Sequence, residues 1–259
     1  MSTTTEQSSN TADEWIELNE PKQFSRLLYT NPVCFLSTTT TTTTTEQQQQ
    51  RKNVMVLSWL TATNNEGRFM FSLNRRRHTA SVISEEGCTF VLSVPVKGME
   101  NLVKEVGGVS GRWGSKFVED HHTGEEQQRK EFASRQEGEP PLSKRQKKKQ
   151  QQQANRSLGI EGLKAVPLGL RPDDENSGGL FAVDGTIAHL HCRVYSMIKE
   201  AVIDEDHYLT LGEVARAFVH CSYWDAAKNL FRPDDQSPPY LTFFGSQTFG
   251  YVVASSRAS

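Results

Sequence analysis

The sequence predicts a mostly β protein, an antiparallel barrel or sandwich with a few short helices. Segments rich in β-branched and aromatic residues recur along the chain, as in "NPVCFLST", "NVMVLSWLTAT", "RFMFSL", "CTFVLSVPV", "LFAVDGTIAHLHCRVYSMI", "HYLTLGEVARAFV" and "YLTFFGSQTFGYVV". Helical patterning is confined to "TASVISEEG", closed by Gly87, and "GMENLVKEVGG", closed by Gly107 and Gly108. Strands and helices do not alternate, which excludes a chain of βαβ units.

The first strands set the pattern. "NPVCFLST" leads into Asn53–Thr63, and "NNEG" turns that strand into "RFMFSL". Residues 53–63 are apolar on both faces, so both faces must be covered. One face points into a barrel; the other is expected to meet a partner subunit or a ligand. A burst of positive charge follows: Arg75, Arg76 and Arg77, then His78 and Thr79 at the start of a short helix.

Two low-complexity tracts, 38–50 and 119–155, interrupt the globular text and read as loop insertions in a domain spanning 21–259. Residues 1–20 read as a disordered tail. The Lys144–Lys149 cluster reads as a solvated charge run.

Composition narrows the function classes. The 259 residues carry a net charge of −2, against nucleic-acid binding. No apolar run is long enough to span a bilayer, so no membrane is expected. The N-terminus lacks the marks of a secretory signal. The cysteines, Cys34, Cys88, Cys192 and Cys221, are scattered and read as buried free thiols of a reducing, intracellular and cytoplasmic setting. "HLHC" places His189 and His191 on one strand face and turns Cys192 away, and no fourth ligand sits at a sensible spacing, so no metal is expected. Gly-rich nucleotide loops and nucleophile-elbow motifs are absent.

The ordered set "NPVCFLST", Asn53 with "LSWLTAT", "FSLNRRRHTASVI", "EEGCTFVLSVP", "GGVSGRWGSKF", "LGIEGLKAVPL", "HLHCRVYSMI" and "DEDHYLTLGEV" resembles the flavin reductase-like, FMN-binding split-barrel family, most closely its flavoredoxin-type branch. The resemblance covers about residues 28–253, apart from the two tracts. It implies an antiparallel, Greek-key split β-barrel that pairs as a homodimer and holds FMN.

What the resemblance implies for the site is specific. Asn53 opens the strand. Ser58, Trp59, Leu60 and Thr61 meet the flavin, with Ser72 and Asn74 on the next strand. Arg77, His78 and Thr79 hold the phosphate at the start of the helix, with one or two of the arginines in contact. Lys116 stands beside the ring, and His207 faces the cofactor or the nicotinamide; these two are the candidate catalytic residues. Phe249 is a further aromatic beside the flavin. Trp113 and Ser115 depart from the acidic residues usual in "SGRDxDKF", which alters the contacts of that loop.

The functions implied are an FMN oxidoreductase acting as an NAD(P)H-dependent flavin reductase, with NADH or NADPH as hydride donor, or a flavoredoxin-like electron carrier with a redox partner protein. A flavin-binding protein with little turnover is the third.

Overall fold

The computed structural model describes residues 31–43, 48–120, 159–168, 179–198 and 205–253. The expected tail at 1–20 and most of the second tract lie outside them.

The chain is mostly β, as the composition of its segments predicts. Strand β1 (Asn31–Pro32) precedes β2 (Cys34–Thr43), β3 (Gln48–Leu57), β4 (Leu60–Ala62) and β5 (Arg68–Asn74). A single-turn helix α1 (His78–Val82) leads to β6 (Thr89–Ser93), and α2 (Glu100–Gly108) follows. The remaining strands are β7 (Ala165–Val166), β8 (Ala182–Val183), β9 (Ala188–Ile198), β10 (His207–Val219), β11 (Trp224–Asp225), β12 (Leu230–Phe231), β13 (Tyr240–Gly245) and β14 (Thr248–Val252).

Seven strands form one sheet in the order β3-β2-β6-β9-β10-β5-β4. Every pairing in it is antiparallel. Its two edges, β3 and β4, are separated in the chain only by Ser58 and Trp59. Laid flat, six strand spacings of ~4.8 Å would set those edges ~29 Å apart. The chain from Leu57 to Leu60 reaches at most ~11 Å. The sheet therefore curls until its edges approach one another. Residues 53–63 are accordingly two strands on opposite edges, not the one strand the sequence suggests.

The curled sheet encloses a core of Leu36, Leu57, Phe69, Phe71, Leu73, Phe90, Leu92 and Cys192. Phe69, Phe71 and Phe90 touch edge-on or stacked at centroid distances of 5.6–6.3 Å. Period-2 alternation sends Phe35, Val54 and Val56 to the other face, against Val103 and Val106 of α2, Phe117 and Leu241. The second apolar face of β3 is thus covered by this chain itself. The sheet face left open lies elsewhere: Trp59, Met70 and Ile198 are exposed there, and Leu209 and Leu211 are half-buried beside them.

Other local expectations shift. The Thr-rich tract at 38–50 is not a loop over its described part. Thr38–Thr43 pair with Gln48–Asn53 as an outward extension of the β2–β3 hairpin. Threonine is β-branched and fits a pleated ribbon, and that preference outweighs the low complexity. Helix α1 ends at Val82, well before Gly87, and α2 runs through Gly107 and Gly108 to its last residue. "DG" at Asp184–Gly185 divides the expected strand 180–198 into β8 and β9. All four cysteines are free; Cys34 and Cys192 are buried, Cys88 is half-buried and Cys221 is exposed rather than buried. Among the described residues no helix is long and apolar enough to cross a membrane.

Thr38 is fully buried, whereas the ribbon beyond Thr40 leaves the sheet. Replacing residues 41–50 by Asn-Gly joins Thr40 to Arg51 through a two-residue turn. The melting temperature should then stay within ~2 °C of the parent in a thermal scan. A fall of more than ~5 °C would mean the ribbon belongs to the cooperative core.

Candidate functional site

A small cleft opens between β3, α1 and the C-terminal end of α2. Asn53 and Met55 from β3, Arg77, His78 and Thr79 around the start of α1, and Lys116 line it. Val106, Gly107, Ser110 and Gly111 form the far wall.

Asn53 holds the floor. It is 4% exposed, and its Nδ2 donates to the hydroxyls of Thr38 and Thr79, each at 3.0 Å. Both amide protons are spent inside the protein, so Asn53 acts on a ligand through what it positions. Thr79 Oγ accepts from Asn53, which leaves the Thr79 hydroxyl proton to donate elsewhere. Gly111 lies against the same amide: a Cβ there would clash with Asn53 Oδ1. Only a residue without a side chain fits beside an Asn held in this rotamer.

Cations gather at the end of α2, where helix carbonyls lack intrahelical donors. Lys116 Nζ donates to Val106 O at 2.9 Å and to Val54 O of the edge strand β3 at 2.8 Å. Arg77 Nη1 reaches Gly107 O at 3.5 Å, and Arg51 Nη2 donates to Gly111 O at 2.8 Å. Lys116 is 2% exposed. Burial, and then the Arg77 guanidinium, push its amine down to about 7. The carboxylates of Glu119 and Asp120 are engaged by Lys52 instead, at 2.8 and 3.5 Å.

The expected site residues thus fall into two groups. Asn53, Arg77, His78, Thr79 and Lys116 share the cleft. Lys116 therefore stands with the expected phosphate set and not beside Trp59. Of the three arginines one lines the cleft; Arg76 pairs with Asp206 at 2.8 Å and Arg75 lies over the Tyr208 ring at 4.6 Å.

The second group lies on β4, β5 and β10. Trp59, 41% exposed, packs on His207 with ring centroids 5.4 Å apart and planes tilted by 33°. His207 Nε2 is 3.4 Å from Asn74 Nδ2. Trp59 O accepts from Ser72 N at 2.9 Å. Ser58 is half-buried and Thr61 exposed, while half-buried Leu60 packs on the barrel core. The turn from Asn74 to Arg77, closed by Arg77 N donating to Asn74 O at 3.0 Å, connects the two groups. Phe249 is in neither. It packs on Phe243 at 5.8 Å, with Lys104 Nζ 5.7 Å from its ring centroid.

Val106, Gly107, Ser110 and Gly111 were not singled out as lining residues from the sequence. The run "GGVSG" was their only signal, since glycines close to a helix end let another group approach the backbone. His189, buried and pushed down to about 4 by desolvation, sits 3.1 Å from Thr186 Oγ1 through Nε2. Among the described residues no cluster of His, Cys, Asp or Glu is placed to hold a metal ion.

A curled antiparallel sheet thus carries a cleft lined by Thr79, Arg77 and Lys116 beside an aromatic surface of Trp59 and His207. Residues 29–141 match the family model described as the flavin reductase like domain. Solved structures share the fold. An FMN-binding domain of a flavin reductases-like enzyme from Shewanella baltica aligns at 18% identity and TM-score 0.54, over 93% of this chain and 96% of that one. Flavoredoxin from Methanosarcina acetivorans aligns at 17% identity and TM-score 0.52, over 95% of each chain. An FMN-binding protein from Thermus thermophilus with bound 1-cyclohex-2-enone aligns at 15% identity and TM-score 0.52, over 95% and 99%. No curated protein matches the chain.

The Lys116 amine gives a stability signature. In the unfolded chain it keeps its proton up to an ordinary 10.5; in the fold it gives it up near 7. Between those values the unfolded state binds more protons, so stability rises with pH, by up to ~5 kcal/mol over the interval. Below about 7 the buried charge costs most. Urea melts from pH 6 to 10 should show this rise for the parent and not for Lys116→Met. Parallel curves would mean the amine titrates normally.

Proposed function

We propose that the chain binds FMN and acts as an oxidoreductase, an NAD(P)H-dependent flavin reductase. The observation that carries the reading is the cleft in which Thr79, Arg77 and Lys116 converge. Among the described residues no carboxylate lines it. That donor set suits a phosphate: a hydroxyl with a spare proton, a guanidinium with several N–H groups, and an amine. The helix itself adds little, because α1 has only five residues. The four-residue turn from Asn74 leads from this cleft to Trp59 and His207, a flat aromatic surface suited to a ring.

In this reading Thr79 donates to the phosphate, Arg77 neutralises it, and Asn53 fixes the Thr79 rotamer. Ser58, Leu60, Thr61 and Ser72 line the ring's side, and Trp59 packs on it. His207, beside Trp59, is placed to orient a nicotinamide or to hold a proton at the open side. Bound FMN supplies the hydride-accepting ring; the protein aligns donor and acceptor and limits water. The neighbours' printed names, an FMN-binding protein and a flavoredoxin among them, support the cofactor.

The open sheet face with Trp59, Met70 and Ile198 fits a second copy of the chain, so the functional unit is a homodimer. The same exposure of Trp59 favours a second reading, an electron carrier that docks a redox partner protein there.

Three measurements decide. Light scattering should return twice the chain mass with FMN bound; a monomer would favour the carrier. Anaerobic addition of NADH or NADPH should bleach the flavin absorbance. Reduction by dithionite alone would rule out the reductase. Calorimetry on Thr79→Ala should show FMN weakened by ~1–3 kcal/mol, with riboflavin, which lacks the phosphate, unaffected. Equal weakening of both would move the phosphate out of this cleft.

A further inference from the structure

We propose that an anion entering the cleft between β3, α1 and α2 delivers a proton to the Lys116 amine, so that ligand binding and proton uptake are one event. The anion is taken to be the phosphate of FMN, so the inference rests on the FMN reading above.

The geometry of Nζ leaves one direction for a third N–H. Two N–H bonds of Lys116 are committed to Val54 O and Val106 O. A neutral amine has only those two, and its fourth tetrahedral direction is a lone pair. An ammonium places a third N–H there instead. Both forms satisfy the carbonyls, while burial and the Arg77 cation disfavour the ammonium. An entering phosphate favours it: its oxygen is repelled by the lone pair and bonded by the N–H.

Among the described residues, the other charged and titratable groups around the cleft are these. Arg77 and His78 flank the cleft from the start of α1, and the Arg77 cation disfavours a charged Lys116. On β3, Arg51 is bonded to Gly111 O and Lys52 is paired with Glu119 and Asp120. On α2, Lys104 lies toward Phe249 and Glu105 is exposed. Glu161, in the turn that follows Ile160, is exposed. A buried amine with a cation beside it and, among the described residues, no carboxylate lining its cleft is close to its titration point before the ligand arrives. An entering dianion reverses the local field and moves it to the charged side.

The test is calorimetry of FMN binding at pH 8, in two buffers of different ionisation enthalpy. At that pH a phosphate monoester, with a second pKa of ~6, is already fully ionised. The observed heats should differ by nearly the full difference in buffer ionisation enthalpy, which corresponds to close to one proton taken up per FMN. The affinity should fall about tenfold per pH unit between pH 8 and 9. Riboflavin should carry no proton in. Lys116→Met should bind FMN with buffer-independent heat, and His78→Gln should keep the uptake.

FMN binding with equal heats in both buffers overturns the proposal and leaves the FMN reading standing. Uptake that survives in Lys116→Met, or vanishes in His78→Gln, assigns the proton to another group and also overturns it. No FMN binding at all ends both readings. If Lys116→Met does not fold, the parent's heats with FMN against riboflavin, together with His78→Gln, still decide.

Discussion

Leu57 and Leu60 belong to strands at opposite ends of a seven-stranded order, and the backbone between them is two residues long. That tether fixes the curvature of the sheet. A curled sheet has an inside, which Phe69, Phe71 and Phe90 fill, and an outside that must be covered piece by piece. Helix α2 covers the outside of β3. Because β3 is an edge, its outward carbonyls need donors, and α2 arrives with unsatisfied carbonyls of its own. One side chain, Lys116, serves both. The cleft is the gap left where the edge of a sheet and the end of a helix meet acceptor to acceptor.

That origin explains why the cleft is rich in cations. Lys116, Arg77 and Arg51 are there because carbonyls are there. The charge of Arg77 and Arg51 exceeds what partial charges on carbonyl oxygens can balance, and the excess is what a phosphate would find. Structural need and ligand recognition thus draw on the same side chains, with Asn53 and Thr79 supplying the one uncharged donor.

Much of the fold was legible in the sequence. The strands at 68–74 and 207–219, the turn at Asn64–Gly67 and the free cysteines follow from alternation and turn chemistry. The break at Ser58–Trp59 was not, because neither residue is a breaker; the chain changes sheet edge there through tertiary pairing with β5. The Thr ribbon misled in the other direction, since low complexity masks a strong β preference. In the site, the convergence of Asn53, Arg77, Thr79 and Lys116 was legible only through the family resemblance. Which arginine faces the cleft depends on the turn at Asn74, where Asn74 Oδ1 accepts from Arg76 N and sends the side chains apart. The lining glycines, Gly107 in the last turn of α2 and Gly111 beyond it, have no side chain by which to announce themselves.

The contact between Gly111 and Asn53 has a consequence for how such a sequence can change over time. With the amide in place, any side chain at 111 meets Asn53 Oδ1. With a smaller residue at 53 that clash goes and only His78 Cδ2, 3.1 Å away, must give, but Thr38 and Thr79 lose their shared donor. The two positions are therefore epistatic, and the order of substitution matters. Position 53 must give way first, and the lineage passes through an intermediate whose cleft floor is unpinned.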